Sequence, residues 1–332
     1  MARRTQSRRR FLSSVSALGA TWLLPTSPAA AEPPPEVKQI RFAHLPAICL
    51  TPQYLAEELL HSEGFERVEY VDTTVSGPGE MEAVDFSMND APSTLYGLQR
   101  GVAAVALAGI HPGCYELFGN ERVRAIRDLK GKRIAIDAFG GTAHVFIASM
   151  LAYVGMDPRK DIDWQVAGSW ADAMRLFVEG KADSFLAGPP QPQELRSRKV
   201  GHVIVDTVQD RPWSQYLCCF LIARREFAEK YPVATKRVLR ALLKAADICA
   251  QEPERAARYL QAKGYEQRYE LALEALKRLP YRRWRDANPE DTLRFHALRL
   301  HESGLITGNP NRLIARGIDW SFLNELKMEL KA

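Results

Sequence analysis

Gly140-Gly141-Thr142-Ala143-His144 is the stretch whose chemistry is easiest to read. As a join between a strand and a helix it offers backbone N–H groups, the helix dipole and the Thr142 hydroxyl to an anion. The same residues also make a tight turn with Thr142 as N-cap, and local sequence leaves both readings open. A second stretch, His111-Pro112-Gly113-Cys114, is an H-x-x-C pair that has the donor types for a soft metal when joined by Cys49 or His44. Pro112 and Gly113 are equally turn residues, and a turn is what we expect there, with no metal and no cofactor. Cys218 and Cys219 are adjacent on a β-like run. Neighbours on a strand point to opposite faces, so the pair is not expected to chelate one ion without distortion.

The remaining candidates divide between chemistry and packing. Cys249 continues the stripe Val238, Leu242, Ala245 and is expected on the buried face of a helix. His296 and His301 are five apart, on different faces of one helix, and are expected at the surface. No G-x-x-x-x-G-K-S/T, H-E-x-x-H, G-x-S-x-G or helix-opening G-x-G-x-x-G is present, and no nucleophile–base pair is legible. A binding protein is therefore expected, with no catalytic residues.

These residues need elements to position them. The 332 residues, 46% hydrophobic, are enough for a core and for two domains. Short β-like runs alternate with helical ones: Ile40 to Ala43, a helix from Pro52 to Leu60, Val68 to Val71, Asp85 to Met88, a helix from Ser93 to Arg100, then Val102 to Ala108. A second round follows with Arg133 to Ile136, a helix from Thr142 to Val154, Ile162 to Val166, a helix from Ala171 to Glu179, and the strands Ser184 to Ala187, Val203 to Val205 and Tyr216 to Ala223. This is the pattern of an α/β layered sheet. Ser169 and Asp172 mark one helix start, Asn288-Pro289 another, and Gly180 and Gly304 mark stops. Beyond Ala223 the chain reads as almost wholly helical, too polar to bury itself alone, and is expected to pack on one of the α/β units. No internal sequence repeat stands out.

The formal charge of +5 is matched by Arg3, Arg4, Arg8, Arg9 and Arg10 alone. The excess therefore reads as a targeting feature, and no nucleic-acid partner is expected. Ser7-Arg8-Arg9-Arg10-Phe11-Leu12, the apolar stretch from Val15 to Leu24 and the small residues up to Ala31 read as a twin-arginine signal over residues 1–31. The expected location is the periplasm.

The order of Phe42-Ala43-His44-Leu45-Pro46, Asp85-Phe86-Ser87-Met88-Asn89-Asp90-Ala91-Pro92, Asp128-Leu129-Lys130-Gly131-Lys132-Arg133-Ile134-Ala135, the Gly-Gly-Thr turn, Glu179-Gly180-Lys181-Ala182-Asp183-Ser184 and Arg225-Glu226-Phe227-Ala228-Glu229-Lys230-Tyr231-Pro232 resembles the periplasmic solute-binding proteins of ABC importers. The family in question takes nitrate, taurine, alkanesulfonates and thiamine-pyrimidine precursors. The resemblance implies a type II periplasmic-binding-protein fold, with two α/β lobes, a ligand cleft and a helical C-terminal tract that belongs to the first lobe. Lobe I would comprise 36–113 and 222–332, and lobe II 114–221.

The resemblance further implies a small-molecule ligand, ABC permease and ATPase partners, and a chain acting as a monomer. An iron-dependent enzyme of thiamine-pyrimidine synthesis shares the family and is the alternative. It carries a longer cysteine cluster where this chain has Cys218 and Cys219 alone.

Ligands of such sheets sit at the carboxyl ends of strands. That places the expected ligand set at Leu45, Pro46, Cys49, Leu50, Asn89, Asp90, Gly140, Gly141, Thr142, Ala143, His144, Pro190, Gln191, Gln215 and Tyr216. The expected ligand is a small organic anion, sulfonate or taurine-like. Asp90 suits a ligand that also bears an amine, or else caps the following helix.

Overall fold

The computed structural model describes residues 32–45, 47–73 and 79–330. The signal-peptide reading of residues 1–31 and the candidate ligand residue Pro46 lie outside the described residues. Among the described residues no helix is long and apolar enough to cross a membrane.

Two five-stranded sheets form the frame. The first has the order β2-β1-β3-β10-β4, from β1 (Gln39–His44), β2 (Arg67–Asp72), β3 (Phe86–Asp90), β4 (Ala104–Pro112) and β10 (Leu217–Arg224). The second has the order β7-β6-β8-β5-β9, from β5 (Glu116–Gly119), β6 (Arg133–Ile136), β7 (Asp163–Val166), β8 (Ser184–Ala187) and β9 (His202–Asp206). In each sheet four strands point the same way, and the fourth in order is antiparallel to both its neighbours. That antiparallel strand is the one that has just crossed from the other sheet: β5 follows β4, and β10 follows β9. The repeat missing from the sequence is thus present in the topology.

The helices that follow strands carry the polar groups of interest. In the first lobe these are α1 (Thr51–Ser62) and α2 (Ala91–Gln99), and in the second α3 (Thr142–Tyr153), α4 (Trp170–Val178) and α5 (Gln191–Ser197). Ser169 caps α4 by accepting from the Asp172 N–H at 3.1 Å. Strands β1 and β3 share a short ladder, and the buried Gln53 extends it. Its Nε2 donates to the Ala43 carbonyl and its Oε1 accepts from the Met88 N–H, both at 2.8 Å. An amide completes the sheet where backbone pairing stops.

The C-terminal tract contains α6 (Arg225–Lys230), α7 (Pro232–Gln251), α8 (Pro253–Ala262), α9 (Tyr269–Arg278), α10 (Pro289–Glu302), α11 (Pro310–Gly317) and α12 (Ser321–Glu329). The stripe Val238, Leu242, Ala245 and Cys249 is fully buried on α7, which packs on α1. The tract does not serve the first lobe alone. Helix α10 lies on α2 of the first lobe and α3 of the second, and α9 meets α5. This explains why α3 is buried over every residue from Ala143 to Ala152, since it is covered on both sides. It also overturns the expected surface position of His296, which is 2% exposed on α10 and hydrogen-bonded through Nδ1 to Ser149 Oγ of α3 at 3.1 Å. Burial drives its pKa down to about 3, so it sits in the fold as a neutral ring.

Candidate functional site

The seam between the sheets is built where strands end and helices begin. Asp90, the last residue of β3, is buried and is the N-cap of α2, its Oδ1 accepting from the Ser93 N–H at 2.9 Å. Across the seam the Thr142 hydroxyl, at the first position of α3, donates to Asp90 Oδ2 at 3.1 Å and lies 3.2 Å from Ser93 Oγ. One carboxylate therefore caps a helix of the first lobe and holds a hydroxyl of the second. Burial lifts its pKa to about 6, against the lowering effect of the Ser93 and Thr142 hydrogen bonds.

The glycine turn before α3 is largely satisfied by its own surroundings. Gly140, at φ +78°, donates its N–H to His144 Nδ1 at 3.1 Å, and Gly141 donates to the Ala138 carbonyl at 3.2 Å. His144 is 9% exposed, with its ring against Trp164 and Phe139, and burial lowers its pKa to about 4. It braces the turn as a neutral acceptor. A Cβ on Gly141 would stand 2.7 Å from Asp137 Oδ2, so the missing side chain makes room for a second carboxylate. Asp137 Oδ1 is buried without a hydrogen bond, and burial raises this group as well. The start of α3 thus faces two carboxylates of the protein itself, and no Arg or Lys lies in the stretches 45–51, 89–92, 140–144 or 188–191.

The other expected residues separate into those near this seam and those elsewhere. Cys49, Leu50 and Ala143 are buried in the main apolar cluster, and half-buried Leu45 packs on it. The Leu45 N–H donates to the Tyr54 hydroxyl at 3.0 Å. Asn89 is half-buried, and its Oδ1 accepts from the Asp90 N–H at 3.1 Å. Pro190 precedes α5, where Gln191 Nε2 donates to the Trp170 carbonyl at 3.2 Å. Gln215 is exposed, and Tyr216 lies flat on Phe295 of α10 with ring centroids 4.1 Å apart. Tyr216 therefore packs on the C-terminal tract.

The sequence reading missed Tyr115. It follows Cys114 at the first crossing, stacks toward Trp170 at 6.0 Å and is raised by burial and by the nearby Cys114 and Asp90 charges. Its neighbour Gly188 has its Cβ position 3.2 Å from the Tyr115 ring.

A thiol and imidazole set lies at the crossings beside the seam. Cys49, His111 and Cys219 offer ligand atoms that all lie within 4.8 Å of one another, and so do Cys114, Cys218 and Cys219. All five residues are buried, and the four cysteines are free thiols. The expectation that Cys218 and Cys219 face apart fails because β10 carries a bulge there. Leu217 pairs with Pro112 and Cys219 with His111, so Cys218 is the extra residue and alternation is lost. Cys114 Sγ lies 3.2 Å from Cys218 Sγ. Asp90 contributes to the electrostatics of Cys218, which ties the two clusters together.

Ion pairs also cross the seam. Arg278 of α9 reaches Asp206 at 2.6 Å and the buried Glu116 at 3.3 Å, while Arg196 of α5 joins Glu274 at 3.1 Å and also pairs with Glu116. Two surface cavities lie elsewhere: one of 590 Å³ beside Gln99, Arg225 and Arg312, the other of 240 Å³ beside Asn288, Trp320 and Lys327. Neither is lined by the strand-end residues.

Comparison with known proteins follows this geometry. Residues 115–262 match the model of the NMT1-like family. Over 102 residues the chain is 32% identical to the bicarbonate-binding protein CmpA of a Synechococcus species, a stretch covering 31% of this chain and 22% of that relative. The fold is similar to the periplasmic nitrate-binding protein NrtA of Synechocystis, with a TM-score of 0.73, 16% identity and 90% of each chain covered. It is also similar to the alkanesulfonate-binding protein SsuA of Xanthomonas axonopodis, with a TM-score of 0.70, 19% identity, and 88% of this chain and 100% of that one covered. The resemblance read from the motif order is met by these matches, and the proteins matched are binding proteins. The chain carries an NMT1-like stretch within the two-lobed fold of the periplasmic binding proteins.

Proposed function

We propose that this chain is the substrate-binding component of an ABC importer, exported by the twin-arginine route, which captures a small organic molecule in the periplasm and presents it to a permease and its ATPase. The observation that carries this is the Asp90–Thr142 contact, where strand-end and helix-start groups of two similarly wound sheets meet. The ligand carries an anionic group for the start of α3 and an amine or other donor for Asp90, as taurine does. The helix dipole contributes only about 0.3–2 kcal/mol and the strand-end stretches themselves hold no Arg or Lys, although Arg100 Nη1 comes within 3.6 Å of the Cβ position of Gly140, so an organic body supplies the remaining contacts. Capture opens and closes the seam by bending at the crossings near Gly113 and Leu221.

A thermal-shift screen over taurine, alkanesulfonates, carboxylates, nitrate, bicarbonate and pyrimidines tests the reading. One class should raise the melting temperature, since a ligand at 100 times its Kd stabilises by about 2.7 kcal/mol. No shift with any class, or scattering curves that do not change at saturating ligand, would count against capture by closure.

A further inference from the structure

Four thiols and one imidazole converge from three separate stretches of chain. Cys49 comes from the 3-10 turn before α1, His111 and Cys114 from the end of β4 and the first crossing, and Cys218 and Cys219 from the bulged start of β10. We propose that this set is a binding site for one Zn²⁺ ion, held between the two crossings.

The donor chemistry fits. Thiolate sulfur and imidazole nitrogen are the ligands such ions select. A tetrahedral zinc with bonds of about 2.3 Å spaces its sulfurs about 3.8 Å apart, and both triads already lie within 4.8 Å. Cys219 belongs to both triads, so it anchors the ion while groups from either side complete the coordination.

The surroundings also fit. His111 Nδ1 faces the Pro112 and Gly113 carbonyls, each at 3.2 Å, and Nε2 lies 3.2 Å from the Cys49 carbonyl. Both ring nitrogens thus face acceptors, and a metal on Nε2 takes the place of that nitrogen's proton and its contact with the Cys49 carbonyl, while Nδ1–H stays on the Pro112 and Gly113 carbonyls. A ligand histidine is commonly oriented by such a backbone acceptor. Tyr281 donates its hydroxyl to the same Cys49 carbonyl at 3.1 Å and sets its ring edge against His111, closing the cluster from the C-terminal tract. Binding displaces thiol protons to solvent and involves no change of oxidation state. Since both crossings supply ligands, the ion also clamps the segments about which the lobes turn.

The test uses the full chain, purified anaerobically with reductant. Expected are one zinc retained per chain through gel filtration, a thiolate-to-metal charge-transfer band when Co²⁺ replaces it, and a melting temperature that falls on chelation. Cys219→Ser should abolish retention, while Cys249→Ser, on α7, should leave it unchanged. A wild-type chain that retains no zinc and gives no cobalt band would overturn the proposal, and so would equal retention by Cys219→Ser. Alkylation of denatured, unreduced protein gives a further reading. Five free thiols, the four of the set and Cys249, support the site, and a Cys114–Cys218 disulfide in the exported protein overturns it. These wild-type measurements stand even if Cys219→Ser does not fold, and they are independent of whether any organic ligand binds.

Discussion

Two contacts join the lobes side by side, and they are made of opposite materials. At one, Asp90, the N-cap of α2, holds the Ser93 N–H of its own helix and accepts from the Thr142 hydroxyl across the seam, with Ser93 Oγ beside it. At the other, Cys49, His111, Cys114, Cys218 and Cys219 meet as buried groups that satisfy no helix end. The Asp90 cap has a local reason to exist, so it persists when the lobes part. The thiol set has no local reason, and its geometry depends on how the two crossings are held.

That dependence gives the largest expected effect. Gly113 sits at φ +52°, and a Cβ there would lie 2.5 Å from the Thr207 carbonyl oxygen and 2.6 Å from Val208 Cα. Both are backbone atoms pinned by the Thr207 hydroxyl, which accepts from the Cys114 and Tyr115 N–H groups at 3.1 and 3.0 Å. Gly113→Ala should cost about 3–5 kcal/mol in urea unfolding, from strained backbone and overpacking together. A cost below about 1 kcal/mol would show that the crossing yields easily and that the thiol geometry is not fixed by it.

The same contrast explains what the sequence could reveal. Asp90 followed by Ala-Pro-Ser, Ser169 followed by Asp172, and Asn288 before Pro289 are local patterns, and all three caps stand where those patterns place them. Most strands were legible for the same reason. Strand β5 was not, because Glu-Leu-Phe-Gly is too short to show alternation and owes its place inside a sheet to pairing with β8 and β9. The buried His296 and the paired thiols of Cys218 and Cys219 were misread because each depends on a distant partner: α3 for the histidine, and a bulge against β4 for the cysteines. The packing of Tyr216 was not legible either. Its neighbour in space is Phe295, about eighty residues later, and nothing near it in sequence announces that.

An intermediate effect is expected at the cap seam. Thr142→Val removes the hydroxyl that donates to Asp90 Oδ2 and leaves a buried carboxylate with fewer donors. The cost should be about 1–3 kcal/mol in the free protein, read by chemical denaturation at neutral pH. It should shrink at pH 4, where Asp90 is protonated and an unmet acceptor matters less. An equal cost at both pH values would mean that the contact works by packing and not by charge.

The smallest and most specific effect concerns the Asp90 charge itself. Its pKa stands at about 6 in the folded protein, above the unfolded value of about 3.9. The folded state therefore binds the extra proton, and the stability linked to this group is full below about pH 4 and is lost as pH rises through about 6. His144 and His296 act with the opposite sign. Burial holds them near 4 and 3, below the unfolded value of about 6.5, so their contribution is lost as pH falls. The opposed slopes partly cancel in the wild type, and Asp90→Asn separates them. Asn retains an oxygen for the Ser93 N–H and so keeps the cap, while the charge is gone. Relative to wild type the variant should gain about 1–3 kcal/mol between pH 4 and pH 8, because the Asp90 contribution is absent from its profile. A difference between the two proteins that stays constant across that range would mean that Asp90 keeps an ordinary carboxylate pKa in the fold, and that burial at the seam does not govern its charge.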